Sequence, residues 1–142
     1  MSPRAPFLAC GGAREILELP PATWRLMGQN VPTGGGGYFR LLPLVVMRRS
    51  IEQVARECRP AVAMLYFHPW EFDSEQRKLP LKTLRRFRTY IGVSRTRARL
   101  AALLERGGFV RACDVARRLS AQQSVLPRFS MLPNANSAAL PS

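Results

Sequence analysis

The chain has few of the residues from which proteins build metal sites and disulfide frameworks. Its 142 residues include one histidine, His68, and three cysteines, Cys10, Cys58 and Cys113, at wide and irregular spacing. An odd number of scattered cysteines does not indicate a disulfide framework, and a single histidine beside them does not indicate a zinc site. We therefore expect reduced thiols and no metal ligands in this chain.

Long apolar segments are also missing. No apolar run reaches the length of a membrane-spanning helix. The residues Leu8–Gly11 resemble a lipoprotein cleavage box, but the apolar residues before them are few and contain Pro6, so they do not form the apolar core of a signal peptide. These absences predict a soluble, cytoplasmic protein without a membrane span.

Acidic residues are scarce: nine Asp and Glu stand against 22 Lys and Arg, which gives a formal net charge of +13. Between Arg77 and Arg118 there are 13 basic residues and only two acidic ones, Glu105 and Asp114. A positive field of this size attracts polyanions such as nucleic acid, anionic lipid or acidic polysaccharide. The alternative, which we favour, is that the arginines solvate helix surfaces, because a charged patch alone does not read a partner.

Motifs for nucleotides and nucleic acids are absent as well. The glycines of Thr33–Gly37 form neither a GxxxxGKS/T phosphate loop nor a GxGxxG turn with an acidic residue about twenty positions later. No zinc-finger, RNP or bZIP pattern occurs. The aromatic residues interleaved with the arginines, Phe87, Tyr90 and Phe109, coincide with apolar stripes or an apolar segment, so we expect them in the core.

One segment has the composition of a strand that is buried on both faces. The run Ala61–Phe67 is unbroken and apolar, it leads into His68, and Pro69 prevents the strand from continuing. An amphipathic helix precedes it, opened by Pro43 and marked by apolar residues at helical spacing: Leu44, Met47, Ile51, Val54 and Cys58. A helix joined by a short link to a buried strand is typical of a βαβ unit, so we expect an α/β fold.

The rest of the chain predicts two helices between disordered ends. Leu81, Leu84, Phe87, Tyr90 and Ile91 are spaced as one helical stripe, and a second helix would begin at Ser94 and stop at Gly107. Phe109–Val115 is predicted as a short strand. We expect residues 1–13 to be a disordered extension and residues 119–142 to be a disordered tail.

His68 lies where α/β proteins place their chemistry, just beyond the carboxyl end of a strand. A core histidine bonded to a backbone carbonyl is the alternative. The neighbours Trp70 and Glu71 favour a site, because an indole is a common stacking surface and a carboxylate can orient an imidazole. Glu71 has an equally good structural interpretation as the partner of an arginine such as Arg85 or Arg88.

A glycine-rich loop is the second candidate element of a site. The four glycines Gly34–Gly37 allow close backbone approach, and they precede Tyr38 and Arg40. The loop can therefore bring backbone amides, a phenol and a guanidinium to one place. Such a combination suits sugar hydroxyls, and Arg40 could bind an anionic group through two parallel hydrogen bonds.

Two motifs, Gly-Gly-Gly-Gly-Tyr-Phe-Arg-Leu-Leu-Pro at 34–43 and Tyr-Phe-His-Pro-Trp-Glu at 66–71, resemble the C-terminal region of NodB-type polysaccharide deacetylases. The similar subfamily is found beside exopolysaccharide and PEP-CTERM sorting genes. The resemblance covers roughly Ile16 to Phe109. It implies the C-terminal part of an incomplete (β/α) barrel over residues 14–118, with two C-terminal helices, and metal-dependent removal of N-acetyl groups from an exopolysaccharide.

The resemblance also assigns roles. In these enzymes the histidine that closes the last barrel strand acts as a general acid and protonates the leaving amine. The resemblance therefore implies that His68 is the candidate catalytic residue. The candidate substrate-binding residues are Gly37, Tyr38, Arg40, Trp70 and Glu71.

The match to the family is incomplete at the metal site. The family's metal ligands are an aspartate and two histidines on earlier strands, and a chain with one histidine cannot supply them. We therefore expect a divalent metal only in the full-length enzyme and no activity from this chain alone. The alternative function is that of a small basic protein that binds nucleic acid or another polyanion through its arginine-rich helices.

Overall fold

In the computed structural model, residues 3–131 are described and form a mixed α/β fold with two small sheets. The elements in chain order are β1 (Phe7–Gly11), β2 (Arg14–Glu18), β3 (Thr23–Leu26), β4 (Gln29–Pro32), α1 (Gly36–Leu41), α2 (Leu44–Glu57), a 3₁₀ helix (Pro69–Phe72), α3 (Thr83–Tyr90), α4 (Val93–Leu104), α5 (Ala112–Ser120), a second 3₁₀ helix (Gln123–Val125) and β5 (Arg128–Ser130).

The sheets are small and mostly antiparallel. In the first, β1 pairs antiparallel with β2 and parallel with β5, and in the second β3 and β4 form a hairpin. Gly28, at φ 80°, occupies the turn of this hairpin in the left-handed region. The expected α/β class is thus confirmed, whereas residues 3–131 do not close a barrel.

Both predicted disordered ends contain regular structure. The extension predicted over residues 1–13 includes β1, which buries Leu8 and Ala9, because the turn at Gly12 returns the chain for pairing with β2. The tail predicted from residue 119 includes the end of α5 and strand β5, and it buries Leu126 in the same core as Leu8. Residues 132–142 of that predicted tail lie outside the described part of the chain.

The segment Ala61–Phe67 is extended but is not a regular strand. It makes two isolated parallel bridges, from Met64 to Pro21 and from Tyr66 to Gly35. Its side chains contact two hydrophobic cores. Val62 packs against a core of Leu8, Leu119 and Leu126, whereas Leu65 and Phe67 pack against a core of Phe39, Met47 and Leu103. The segment therefore contacts both cores, but the prediction of a strand buried on both faces was wrong. It is paired along one side, none of its residues is buried, and Ala61 and Tyr66 are exposed.

Helix α2 matches the predicted helix, with Pro43 as its N-cap and Met47, Ser50 and Val54 buried. Two other predictions were wrong. Helix α5 occupies most of the strand predicted at Phe109–Val115, since Val115 and Leu119 are one helical turn apart and both contact the first core. Helix α4, which precedes α5, begins directly after Gly92 and not at Ser94 as predicted. Gly92 has the left-handed conformation.

The arginine-rich helix α3 has no buried residue. Leu84 is 71% exposed and Phe87 is 57% exposed, and Phe109 beyond α4 is also exposed, so the expectation that Phe87 and Phe109 belong to the core was wrong. The apolar residues of α3 do recur at helical spacing, but nothing within residues 3–131 covers the apolar face that they form.

None of the helices described within residues 3–131 has both the length and the hydropathy of a membrane span.

Candidate functional site

His68 ends the extended segment, and its imidazole contacts two aromatic rings. The imidazole stacks on the indole of Trp70, with ring centroids 4.2 Å apart and planes 8° apart. The ring of Tyr66 approaches the imidazole edge-on, with centroids 6.0 Å apart. His68 is exposed, as are Tyr66 (44%) and Trp70 (54%). The alternative of a buried core histidine is therefore wrong, and the imidazole is open to an incoming molecule.

The backbone that carries His68 is fixed by Glu71, which is only 3% exposed. One carboxylate oxygen of Glu71, Oε2, accepts a hydrogen bond from the backbone N–H of His68 at 2.9 Å, and the backbone N–H of Glu71 donates to the carbonyl of His68 at 3.0 Å. Pro69 opens the 3₁₀ helix that brings these groups together. The turn after His68 is therefore held from both of its ends.

The other oxygen of Glu71 is paired with Arg40. The guanidinium of Arg40 lies 3.3 Å from Oε1 of Glu71, and both side chains are nearly inaccessible to solvent. Arg40 also donates to the backbone carbonyls of Gly36, Thr89 and Ile91. Its donors are thus directed to protein groups, so the guanidinium connects α1, the end of α3 and the His68 turn rather than projecting toward a ligand.

The glycine-rich loop lets this turn come close. A Cβ at Gly34 would lie 2.5 Å from the backbone oxygen of Met64, and one at Gly35 would lie 2.8 Å from the hydroxyl of Tyr66. A Cβ at Gly36 would overlap the carboxylate of Glu71. Glycine is therefore required at Gly34, which meets backbone atoms, and at Gly36, which meets a buried carboxylate, whereas the exposed side chain of Tyr66 could move aside for a Cβ at Gly35.

The remaining two predicted site residues lie apart from this cluster. No atom lies within 4 Å of the position that a Cβ at Gly37 would occupy, and Tyr38 is half exposed on α1. Within residues 3–131, neither is linked to His68 by a hydrogen bond or a ring contact. Of the six predicted residues, the structure thus brings together His68, Trp70, Glu71 and Arg40.

Tyr66 is a site residue that the sequence interpretation missed. It was counted among the buried apolar residues of the run Ala61–Phe67, although its ring is half exposed and contacts the imidazole. The signal was present in the sequence, because Tyr66 and His68 are two residues apart in an extended segment and therefore project to the same side.

The ion pair predicts a large loss of stability in Glu71→Gln. The substitution leaves the shape nearly unchanged but removes the charge that compensates a buried guanidinium, which typically costs about 3–5 kcal/mol. Glu52→Gln is the matched control, since Glu52 pairs with Arg106 at 3.6 Å on the surface and such pairs contribute about 1 kcal/mol or less. Urea titration would measure both free energies of unfolding. Equal losses in the two variants would contradict a supporting role for Glu71.

The described residues do not form a metal site. Residues 3–131 contain no group of three or more His, Cys, Asp or Glu side chains arranged to hold a metal ion. The carboxylate nearest to His68 in sequence, Glu71, is already engaged by Arg40 and by a backbone N–H. The cluster therefore presents one accessible imidazole beside two aromatic rings, on a turn that Glu71 holds in place. An imidazole can serve as a general acid or base.

The comparisons with known proteins identify a family without an assigned activity. The family model described as "Domain of unknown function (DUF3473)" matches residues 1–117, and the chain therefore belongs to this family. No curated protein and no solved structure matches the chain.

Proposed function

Starting from its membership of the DUF3473 family, we propose that this chain is the C-terminal part of a NodB-type polysaccharide deacetylase and that His68 is its general acid. Domains of this family occur at the C-termini of polysaccharide deacetylases. The observation that carries the proposal is the exposed imidazole of His68, which stacks on Trp70 at the end of an extended apolar segment. The carboxyl ends of strands are where α/β folds bind ligands.

The proton transfer requires only what His68 can supply. When the C–N bond of an N-acetyl group breaks, the departing nitrogen must gain a proton, and a protonated imidazole within hydrogen-bond reach can donate it. Glu71 and Arg40 act as positioning residues in this scheme, because both side chains are buried, bind protein groups and hold the backbone of His68. Among residues 3–131 no group of side chains fits a metal ion, so we assign these residues no metal-dependent step.

The aromatic rings are the proposed contact with the sugar. Tyr66 and Trp70 are half exposed beside the imidazole and present apolar surface against which the carbon face of a sugar ring can pack. Tyr38 and Gly37 remain candidate substrate contacts on the strength of the resemblance alone. Arg40 and Glu71 are reassigned from substrate binding to support of the site.

The test of this function is reconstitution. The purified chain should release no acetate from an N-acetylated exopolysaccharide, with or without added Zn²⁺, because it lacks the metal-binding residues. Co-expression with the metal-binding segment of a deacetylase of this subfamily should yield turnover that a chelator abolishes. Chelator-sensitive turnover by the chain alone, or no turnover by a correctly assembled complex, would contradict the proposal.

A second candidate function rests on the exposed aromatic residue of α3. Phe87 projects from the helix among Arg85, Arg86 and Arg88 and is 57% exposed. Aromatic side chains beside arginines can stack on the bases of single-stranded nucleic acid. We favour non-specific attraction, since no base-reading motif accompanies the charges.

The two possibilities differ in their dependence on salt. Non-specific binding should weaken steeply, by about 10³-fold or more between 50 and 200 mM salt if six or more phosphates are neutralised. Fluorescence anisotropy with labelled single-stranded oligonucleotides of several sequences would measure this. A preferred sequence bound about 10³-fold tighter than a random competitor near physiological salt, and lost in Phe87→Ala, would support the nucleic-acid function instead.

A further inference from the structure

The segment 77–91, which contains α3, exposes apolar side chains on one side of the chain. Leu84 is 71% exposed and Phe87 is 57% exposed, and Leu79, just before the helix, is also 57% exposed. Leu84 and Phe87 are three residues apart, so they lie on the same face of the helix. Phe87 also borders a groove of about 500 Å³ whose other apolar lining residues are Leu81, Tyr90 and Ile91. Phe87 therefore joins the exposed leucines to a larger apolar surface.

The same segment has an excess of positive charge that no carboxylate compensates. It contains no acidic residue and six basic ones, Arg77, Lys78, Lys82, Arg85, Arg86 and Arg88. All six residues are exposed, and none of them forms an ion pair within residues 3–131. Arg86 and Arg88 lie about 100° to either side of Phe87 around the helix axis. The exposed apolar face is therefore flanked by arginines on both sides.

Hydrogen bonds hold the C-terminal end of α3 against the rest of the chain. The guanidinium of Arg40 donates to the carbonyl of Thr89 at 2.7 Å, and the N–H of Leu79 donates to the hydroxyl of Tyr90 at 2.8 Å. Because these bonds fix the rotation of the helix, Leu84 and Phe87 cannot turn inward while the bonds persist. The fold thus holds this apolar face toward the solvent.

An anionic lipid surface matches this arrangement better than nucleic acid or an acidic protein does. Helices that lie in a membrane interface insert Leu and Phe side chains below the headgroups, while Lys and Arg on their flanks contact anionic lipids. Nucleic acid could stack a base on Phe87, but the more exposed Leu84 has no aromatic ring for stacking. The cores of protein interfaces are depleted of charged residues, whereas arginines adjoin both Leu84 and Phe87 here.

We infer that the segment 77–91 binds the surface of an anionic membrane. Leu79, Leu84 and Phe87 insert at the boundary between headgroups and acyl chains, and the six basic residues lie in the headgroup layer. This peripheral binding needs no membrane-spanning helix and does not depend on the deacetylase assignment. Because Arg40 connects α3 to Glu71 and so to the His68 turn, binding would also set the orientation of the imidazole relative to the membrane.

Co-sedimentation of the full chain with unilamellar vesicles tests the inference. One set of vesicles consists of phosphatidylcholine alone, and the other contains about 30% phosphatidylglycerol, which makes the surface anionic. The chain should bind the anionic vesicles at least about 100-fold more tightly, since each basic residue near such a surface contributes about fivefold in affinity. Equal binding to the two sets, or binding to neither, would overturn the inference.

Leu84→Ala separates insertion from electrostatic attraction. The substitution shortens an exposed side chain and keeps a good helix former, so it preserves the charge and the helix. Affinity for the anionic vesicles should fall about tenfold, because inserted methylene and methyl groups are lost. Ile16→Ala is the matched control, since Ile16 is 62% exposed but lies on β2 between Glu15 and Glu18. Binding by Leu84→Ala at the level of the parent, or an equal loss in both variants, would contradict insertion.

Two double variants with the same loss of charge localise the attraction. Arg86→Gln with Arg88→Gln should weaken binding to the anionic vesicles about 10- to 30-fold. Arg111→Gln with Arg117→Gln should weaken it much less, because these two exposed arginines lie on the distant part of the chain around α5 and pair with Asp114. Equal losses in the two double variants would show that only the overall charge matters, and would remove the assignment to the segment 77–91.

Two further results would identify a different occupant. Single-stranded oligonucleotide bound more tightly than the anionic vesicles, and weakened by Phe87→Ala but not by Leu84→Ala, would assign the face to nucleic acid. Vesicle binding that disappears in the complex with the metal-binding segment would show that the face is an internal interface of the enzyme. Either result would overturn the inference, whereas vesicle binding retained in that complex would support it.

Discussion

Replacing His68 with alanine in the reconstituted deacetylase should lower kcat about 10²–10⁴-fold, the usual cost of losing a general acid. Metal affinity should change little, because the imidazole is assigned to the leaving amine and not to the metal. His68 is exposed and its ring contacts Trp70 and Tyr66, so the substitution should not unfold the chain. Steady-state kinetics and metal titration on the same preparation would measure both quantities.

Steady-state constants separate an acid from a residue that only contacts the substrate, because loss of the acid lowers kcat. Trp70→Ala is the companion variant, and we expect it mainly to raise KM, because it removes a sugar contact and leaves the acid in place. Release of the metal by His68→Ala would show that His68 is a ligand, and an unchanged kcat would exclude it as the acid.

Among stability effects, Gly34→Ala should be one of the largest, at about 3 kcal/mol or more, the upper end of the cost of overpacking. A methyl group there would lie 2.5 Å from the oxygen of Met64 and 2.6 Å from the nitrogen of Ala22. These two atoms belong to the residues that pair at this point. Because both are backbone atoms, the clash can be relieved only by separating the two chain segments. Thermal and urea unfolding of the purified chain would measure the loss.

Gly37→Ala is the matched control and should change stability in the opposite direction. Gly37 lies within α1 and has no atom within 4 Å of the position of a Cβ. Alanine should therefore stabilise the helix by up to about 1 kcal/mol through its higher helix propensity. If all four glycines of the loop responded alike, close packing against the His68 segment would not be the reason for them.

Local patterns in the sequence were sufficient for several elements. The spacing of Met47 and Val54 after Pro43 predicted helix α2, because a helix of this kind is decided by a 3.6-residue repeat within one short stretch. The apolar run before His68 and the proline after it predicted a buried strand that ends at the histidine. The segment is extended and ends there, but it is neither a regular strand nor buried. The same reasoning placed β1 in a disordered extension, since it overlooked the turn at Gly12 that pairs β1 with β2, and the pairing of β1 with β5 depends on residues far along the chain.

The partners within the site could not be predicted in the same way. Glu71 was expected to pair with an arginine, but its partner is Arg40, 31 residues away, rather than Arg85 or Arg88. In a chain with 20 arginines, composition does not say which one approaches a given carboxylate. The choice follows from the close packing of the Gly34–Gly36 loop on the His68 turn, which is a property of the assembled fold.

The sequence by itself determined the chemistry of this protein: one histidine that follows an apolar segment, next to an indole, in a strongly basic chain. These features depend on residue identity and on neighbours a few positions away. The tertiary structure decided the exposure of the imidazole and of Phe87, the structural role of Arg40 and the one-sided pairing of the segment 61–67. Exposure and pairing depend on which distant segments cover a residue, and a local pattern contains no information about those segments.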